Sequence, residues 1–108
     1  MPVSYIDPSE IKDHQRAIVV DVRDSDYDVD GHLRRSINIP LHMFDSSQSL
    51  LSGYDEIICY CQQSRQRGPY FAMKCNNLWP QKKIMVVNGG YTNVKAQLAD
   101  ECSEEHFE

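Results

Sequence analysis

Two residues in this chain have the types and the spacing to hold and attack an oxyanion. Cys61 closes a short apolar run, Glu56-Ile57-Ile58-Cys59-Tyr60, and is followed by Gln62-Gln63-Ser64-Arg65-Gln66-Arg67-Gly68-Pro69 and a helix-forming stretch. A loop of this kind between strand and helix lets the amide N–H groups of Gln62 through Arg67 turn inward around a tetrahedral anion. It also sets the anion beside the positive end of the helix that begins near Gly68. That field, and a neighbouring guanidinium, favour thiolate over thiol at Cys61. Arg67 can grip two anion oxygens with a planar fork that stays charged, which a lysine does less well. Ser64 brings a hydroxyl able to support the thiolate or a leaving group. Cys61 and Arg67 are therefore the catalytic candidates. Gln62, Gln63, Ser64, Arg65 and Gln66, with Arg67, are the oxyanion-binding ones.

A strand-end cysteine by itself is more often core than nucleophile, and Cys59 is read that way. What sets Cys61 apart is the order of strand, cysteine, polar loop, arginine, Gly-Pro and helix.

The elements that must position this loop are those of a wound α/β sheet. Ala17 to Val20, Glu56 to Tyr60 and Lys83 to Val87 are continuous apolar runs of the buried parallel-strand kind, separated by helical or turn-rich sequence. Tyr5-Ile6 reads as an edge strand and Ser36 to Pro40 as a short strand. Asp7-Pro8-Ser9-Glu10 carries a capping Asp, Pro at the first helical position and Glu three residues after the cap, and so starts a brief helix running to about Gln15. Further helical stretches are expected over Ser25 to Gly31, Gln48 to Ser52, Pro69 to Asn77 and Tyr91 to Leu98, with Asp45 to Ser49 a polar loop. In open α/β sheets ligands bind beyond the carboxyl ends of the strands, which is where Cys61 stands. Asp21 and Arg23, at another strand end, read as rim or as a structural brace. His32 reads as a structural histidine, Gly89-Gly90 as a turn and Trp79 as core or rim packing. Arg34 and Arg35 read as solvated surface rather than an extension of the positive mouth.

Cys61-x5-Arg67-Gly68-Pro69 resembles the active-site loop of the M-phase inducer class of dual-specificity phosphatases and of the small eukaryotic arsenate reductases, both built on the rhodanese fold. Val20-Asp21-Val22-Arg23, Asp30-Gly31-His32-Leu33 and Ser36-Ile37-Asn38-Ile39-Pro40 are similar to the rhodanese-type opening, and Val87-Asn88-Gly89-Gly90-Tyr91 to its last turn. The resemblance runs from about Ile6 to about Leu98. It implies an α/β rhodanese-like domain, a central parallel sheet with helices on both faces. It also implies a phosphatase acting through a cysteinyl-phosphate on Cys61, or else an arsenate reductase with glutathione and glutaredoxin as co-reductant. Sulfurtransferase loops of this fold are one residue shorter, so the five residues between Cys61 and Arg67 favour phosphate or arsenate. A non-catalytic module for phosphorylated partners and a thiosulfate sulfurtransferase are the further alternatives.

Three departures stand out. Tyr60 occupies the place usually held by histidine. Gln62, Gln63 and Gln66 are neutral, and Arg65 basic, where the phosphatase loop carries acidic residues. Val22 stands where the inducer phosphatases carry a second cysteine, so no backdoor disulfide of that type is expected, and a resolving thiol would come from Cys59, Cys75, Cys102 or outside the chain. With no acid in the loop, Glu104 or Glu105 is the general-acid candidate.

The 108 residues, 41% hydrophobic and 25% charged, suffice for one core and not for two, so the chain reads as a single domain spanning 1–108 with its core at about 5–98 and an acidic tail over about 99–108. A net charge of −5 argues against nucleic acid or an anionic membrane as partner and leaves a phosphorylated protein or a small oxyanion. The Met-Pro-Val-Ser-Tyr opening lacks the regions of a signal peptide, and no run approaches the length of a membrane span. The expectation is a cytoplasmic or nuclear protein with reduced cysteines. No cofactor and no metal are expected, and Cys102 with His106 is read as part of a frayed tail rather than a metal pair.

Overall fold

The three apolar runs form the centre of one parallel sheet. The fold was obtained as a computed structural model, which describes residues 2–24 and 30–103. Strands β1 (Ser4–Ile6), β2 (Ile18–Asp21), β3 (His32–Leu33), β4 (Ile37–Asn38), β5 (Glu56–Tyr60), β6 (Lys83–Val87) and β7 (Cys102–Ser103) alternate with α1 (Gln48–Ser52), α2 (Arg67–Leu78) and α3 (Gly90–Gln97). The main sheet has the order β1-β6-β5-β2-β4, with every neighbouring pair parallel. β5 lies in the middle, with Ile58 opposite Val19 on one side and Met85 on the other.

Burial on both faces explains why these runs are apolar without alternation. Ile57 and Cys59 of β5 join Val20, Ile84 and Val86 under Leu51 of α1 and Phe71, Ala72 and Cys75 of α2. Ile58 and Tyr60 face the other way, with Val19, Met85 and Val87, against Ile11, Leu33, and Tyr91 and Val94 of α3. Helices therefore cover both faces, as the sequence predicts. Among the described residues no helix is long and apolar enough to cross a membrane.

Several elements differ from the sequence reading. The capping box at Asp7 and Glu10 forms as read, but the segment it opens is a 3₁₀ helix over Pro8–Asp13. α2 begins at Arg67, two residues before Pro69, because a proline in the first turn lacks only an N–H that has no partner within the helix. The polar loop at Asp45 to Ser49 is wound into a 3₁₀ turn, Asp45–Ser47, that runs into α1; a second turn, Leu41–Met43, precedes it, and Phe44 between them packs edge-on against Phe71 at 5.3 Å. The chain beyond Ala99 is not frayed as far as Ser103. Ala99–Glu101 make a turn, and β7 pairs antiparallel with β3 so that Cys102 is buried. That pairing is long-range and leaves no local pattern. The helix expected over Ser25 to Gly31 lies, but for its last two residues, outside the described residues, as do Glu104, Glu105 and His106.

The structural role read for Asp21 and Arg23 has a specific form. Both are fully buried. Arg23 Nη2 lies 2.7 Å from Asp21 Oδ2, while Nε donates to both carboxylate oxygens at 3.0 and 3.1 Å. The same guanidinium donates to the Gly31 carbonyl at 2.7 Å and lies 4.2 Å from the centre of the Tyr91 ring. A buried pair of this kind is costly to break, since either charge left alone is stranded in the core. Arg23→Met should lower the unfolding free energy by about 3–5 kcal/mol in urea titration. A loss below about 1 kcal/mol would mean that the pair does not brace the fold.

Candidate active site

The loop 61–67 leaves the carboxyl end of β5 and returns as the first turn of α2. Its inner side is a cavity of about 450 Å³ lined by Cys61, Gln62, Gln63, Arg65, Gln66 and Arg67. Five of the six predicted oxyanion-binding residues thus line one space together with Cys61. The sixth, Ser64, is buried beneath it, at 5% exposure.

The Cys61 sulfur faces the first turn of α2. The Gly68 backbone N–H donates to Cys61 Sγ at 3.2 Å, using one of the amides that a helix leaves free in its first turn. Gly68 has no side chain to intervene, and a Cβ there would lie 3.5 Å from both Cys61 Sγ and Ser64 Oγ. Ser64 is the only non-glycine residue with positive φ among the described residues, at 53°. Its buried hydroxyl has no hydrogen-bond partner. A left-handed serine with an unpaired buried hydroxyl beside the thiol stores strain at the site rather than in the scaffold.

The outer side of the loop is held by α3. Tyr91 N–H donates to the Cys61 carbonyl at 2.9 Å and Thr92 N–H to the Gln62 carbonyl at 3.1 Å. Gly90 permits this approach. Its φ is +63°, and a Cβ there would lie 2.5 Å from Cys61 O and 2.7 Å from Gln62 O. The glycines read from the sequence as supplying turn freedom thus also let a second helix start against the loop.

A rhodanese-like domain model matches residues 7–97 of this sequence. The chain belongs to the rhodanese-like domain family. The domain is similar to the dual specificity phosphatase Cdc25 of Arabidopsis thaliana, with 28% identity covering 93% of this chain and 78% of that protein. Its structure resembles a yeast protein tyrosine phosphatase of the rhodanese family, at TM-score 0.81 and 22% identity, over 94% of this chain and 90% of the other. It also resembles the As-Sb reductase from Leishmania major, at TM-score 0.71 and 26% identity, over 92% of this chain and 81% of that one.

Tyr60 does not stand in for a histidine beside the thiol. Strand alternation puts it on the opposite sheet face from Cys59 and Cys61, stacked on Tyr91 with ring centres 6.1 Å apart. Its hydroxyl accepts from Leu33 N–H at 3.2 Å and lies 3.0 Å from Ser36 Oγ, while burial, with the nearby Asp21 charge second, pushes the phenol well above its ordinary range. Tyr60 thereby ties β5 to β3 through its hydroxyl.

Arg34 and Arg35 are also far from the loop, yet neither is merely solvated. Arg34 donates to the Asp100 carbonyl, and Arg35 to the carbonyls of Ile11, His14 and Ala17, beside a separate groove of about 460 Å³ that includes Ile11, Leu33 and Leu98. His32 is buried on β3 and not in the loop. Among the described residues no cluster of His, Cys, Asp and Glu could hold a metal ion.

All four cysteines are free. Burial pushes the Cys75 thiol up to about 12 and holds Cys59 well above the ordinary thiol range, with the neighbouring Cys75 and Cys61 adding to it; Cys102 is raised by burial too. A raised thiol stays protonated at pH 8 and reacts slowly. Titration of the folded protein with a disulfide reagent should therefore show one fast thiol, absent in Cys61→Ser, and four after denaturation. Two fast thiols in the native protein would contradict this.

Proposed function

We propose that this domain is a cysteine-dependent enzyme acting on phosphate or arsenate oxyanions, first of all a tyrosine or dual-specificity protein phosphatase. The observation that carries the reading is the Cys61 sulfur held at 3.2 Å by the Gly68 amide, at the mouth of a Cys-x5-Arg loop. The similarity to a dual specificity phosphatase supports it. In the first step the Cys61 thiolate attacks phosphorus in line. A P–S bond forms as the P–O ester bond breaks, and the departing oxygen takes up a proton. Water then attacks phosphorus and the thiolate leaves. The loop amides and Arg67 stabilise the charge on the three equatorial oxygens in both steps. Phosphorylated protein is the substrate class, no cofactor is required, and the setting is cytoplasmic or nuclear.

The likeness to an As-Sb reductase favours a second reading with the same first contact. Cys61 would displace an arsenate oxygen as hydroxide. A glutathione thiolate would then attack the Cys61 sulfur, and the As–S electron pair would leave with arsenic as arsenite. Cys61 and glutathione are left as a mixed disulfide for glutaredoxin to reduce.

Hydrolysis of a small aryl phosphate under reducing conditions tests the first reading. Turnover should fall by about 10³-fold or more in Cys61→Ser and by about 10²-fold in Arg67→Lys, which keeps the charge and loses the fork. Aryl phosphate left intact by wild type, with arsenite produced from arsenate and glutathione only when Cys61 is present, would replace the phosphatase by the reductase.

A further inference from the structure

The sequence assigns Gln62 to substrate binding, but its side-chain carboxamide and its carbonyl are already engaged. Side-chain Oε1 accepts from buried Arg23 Nη1 at 3.0 Å, and Nε2 donates to Thr92 Oγ1 at 3.2 Å. Its backbone carbonyl accepts from both Thr92 N–H at 3.1 Å and Thr92 Oγ1 at 3.2 Å. The direction of every bond in this chain is forced. A guanidinium has only donors, so the carboxamide oxygen must face Arg23 and its NH₂ must face Thr92. The Thr92 hydroxyl therefore accepts from Gln62 and has its single hydrogen left for the Gln62 carbonyl. The polarity set by Asp21 and Arg23 runs through Gln62 to the first turn of α3 and back onto the loop backbone.

What this network fixes is the orientation of two peptide planes. The Cys61 and Gln62 carbonyls point at α3, and across planar trans peptides the N–H groups of Gln62 and Gln63 point away from it. α3 lies outside the loop, so those two amides are turned toward its interior.

Building on the oxyanion reading above, we propose that Gln62 and Thr92 are positioning residues that aim the Gln62 and Gln63 amides at the bound anion, and that position 62 must be a neutral amide. A side chain of this length that accepts at one end and donates at the other is glutamine. A glutamate would also accept from Arg23, but its second oxygen would draw the Thr92 hydroxyl hydrogen off the Gln62 carbonyl. It would also put a negative charge in an anion cradle. The neutral loop that departs from the acidic phosphatase pattern is thus matched by Thr92.

Binding of tungstate, read by calorimetry and by protection of Cys61 from iodoacetamide, tests this without turnover. Thr92→Val and Gln62→Glu should each weaken tungstate binding about tenfold or more, the equivalent of an aligned hydrogen bond, with little change in melting temperature. Thr92→Ser, which keeps the hydroxyl, should recover most of the affinity. Wild-type affinity in both Thr92→Val and Gln62→Glu would overturn the positioning role while leaving the oxyanion reading intact. A wild-type protein that binds no tungstate would overturn the oxyanion reading, and the positioning role with it.

Discussion

The rest of this structure depends on one buried ion pair. Asp21 and Arg23 have no exposed surface, so the charge of each is tolerable only because the other is within hydrogen-bond distance. Once Arg23 is committed to the core, its remaining donors must also be satisfied there. They reach the Gly31 carbonyl on the way to β3 and the Gln62 carboxamide in the loop, while the guanidinium face rests on Tyr91. One charged group at the end of β2 thereby fixes the relative placement of β3, the cysteine loop and α3.

The loop itself is a meeting of two helix starts at the end of the central strand. α2 directs a free first-turn amide at the Cys61 sulfur, and α3 directs two at the carbonyls of Cys61 and Gln62. First-turn amides have no partners within their own helix, so both helices gain by this arrangement. The cost appears at Ser64, where a left-handed backbone and an unpaired buried hydroxyl each cost about 1–3 kcal/mol. The sheet and the two helices around the loop hold that strain in place. A fold of this type hosts several chemistries, and the reaction is decided by what the loop presents rather than by the sheet beneath it.

How far the sequence could be read follows from the range of each interaction. β5, β6 and α1 fall on the residues expected of them, because burial on both faces imposes long apolar runs and because α1 stops at Gly53. Cys61, Arg67 and the intervening residues were legible as a site because strand, loop and helix are contiguous. Missed were the β3–β7 pairing and the anchoring of the Leu41 to Ser47 turns by Phe44, which depend on partners tens of residues away. Thr92 was missed for the same reason. It lies 30 residues from Gln62 and looks like any polar residue early in a helix. The Gly89-Gly90 pair just before it was the one available signal, since a glycine opening a helix permits close approach to another backbone.

By itself, then, the sequence determined the parallel sheet, its helical cover, and a Cys-x5-Arg loop at the end of a buried strand, since each is written in periodicity or in contiguous spacing. Tertiary structure decided what the loop residues do. It turned Tyr60 away from the thiol, drew Gln62 into the Asp21–Arg23 network, and set α3 against the loop carbonyls. Those outcomes depend on which distant groups satisfy which buried donors, and hydrogen-bond satisfaction across the fold leaves no trace in local sequence.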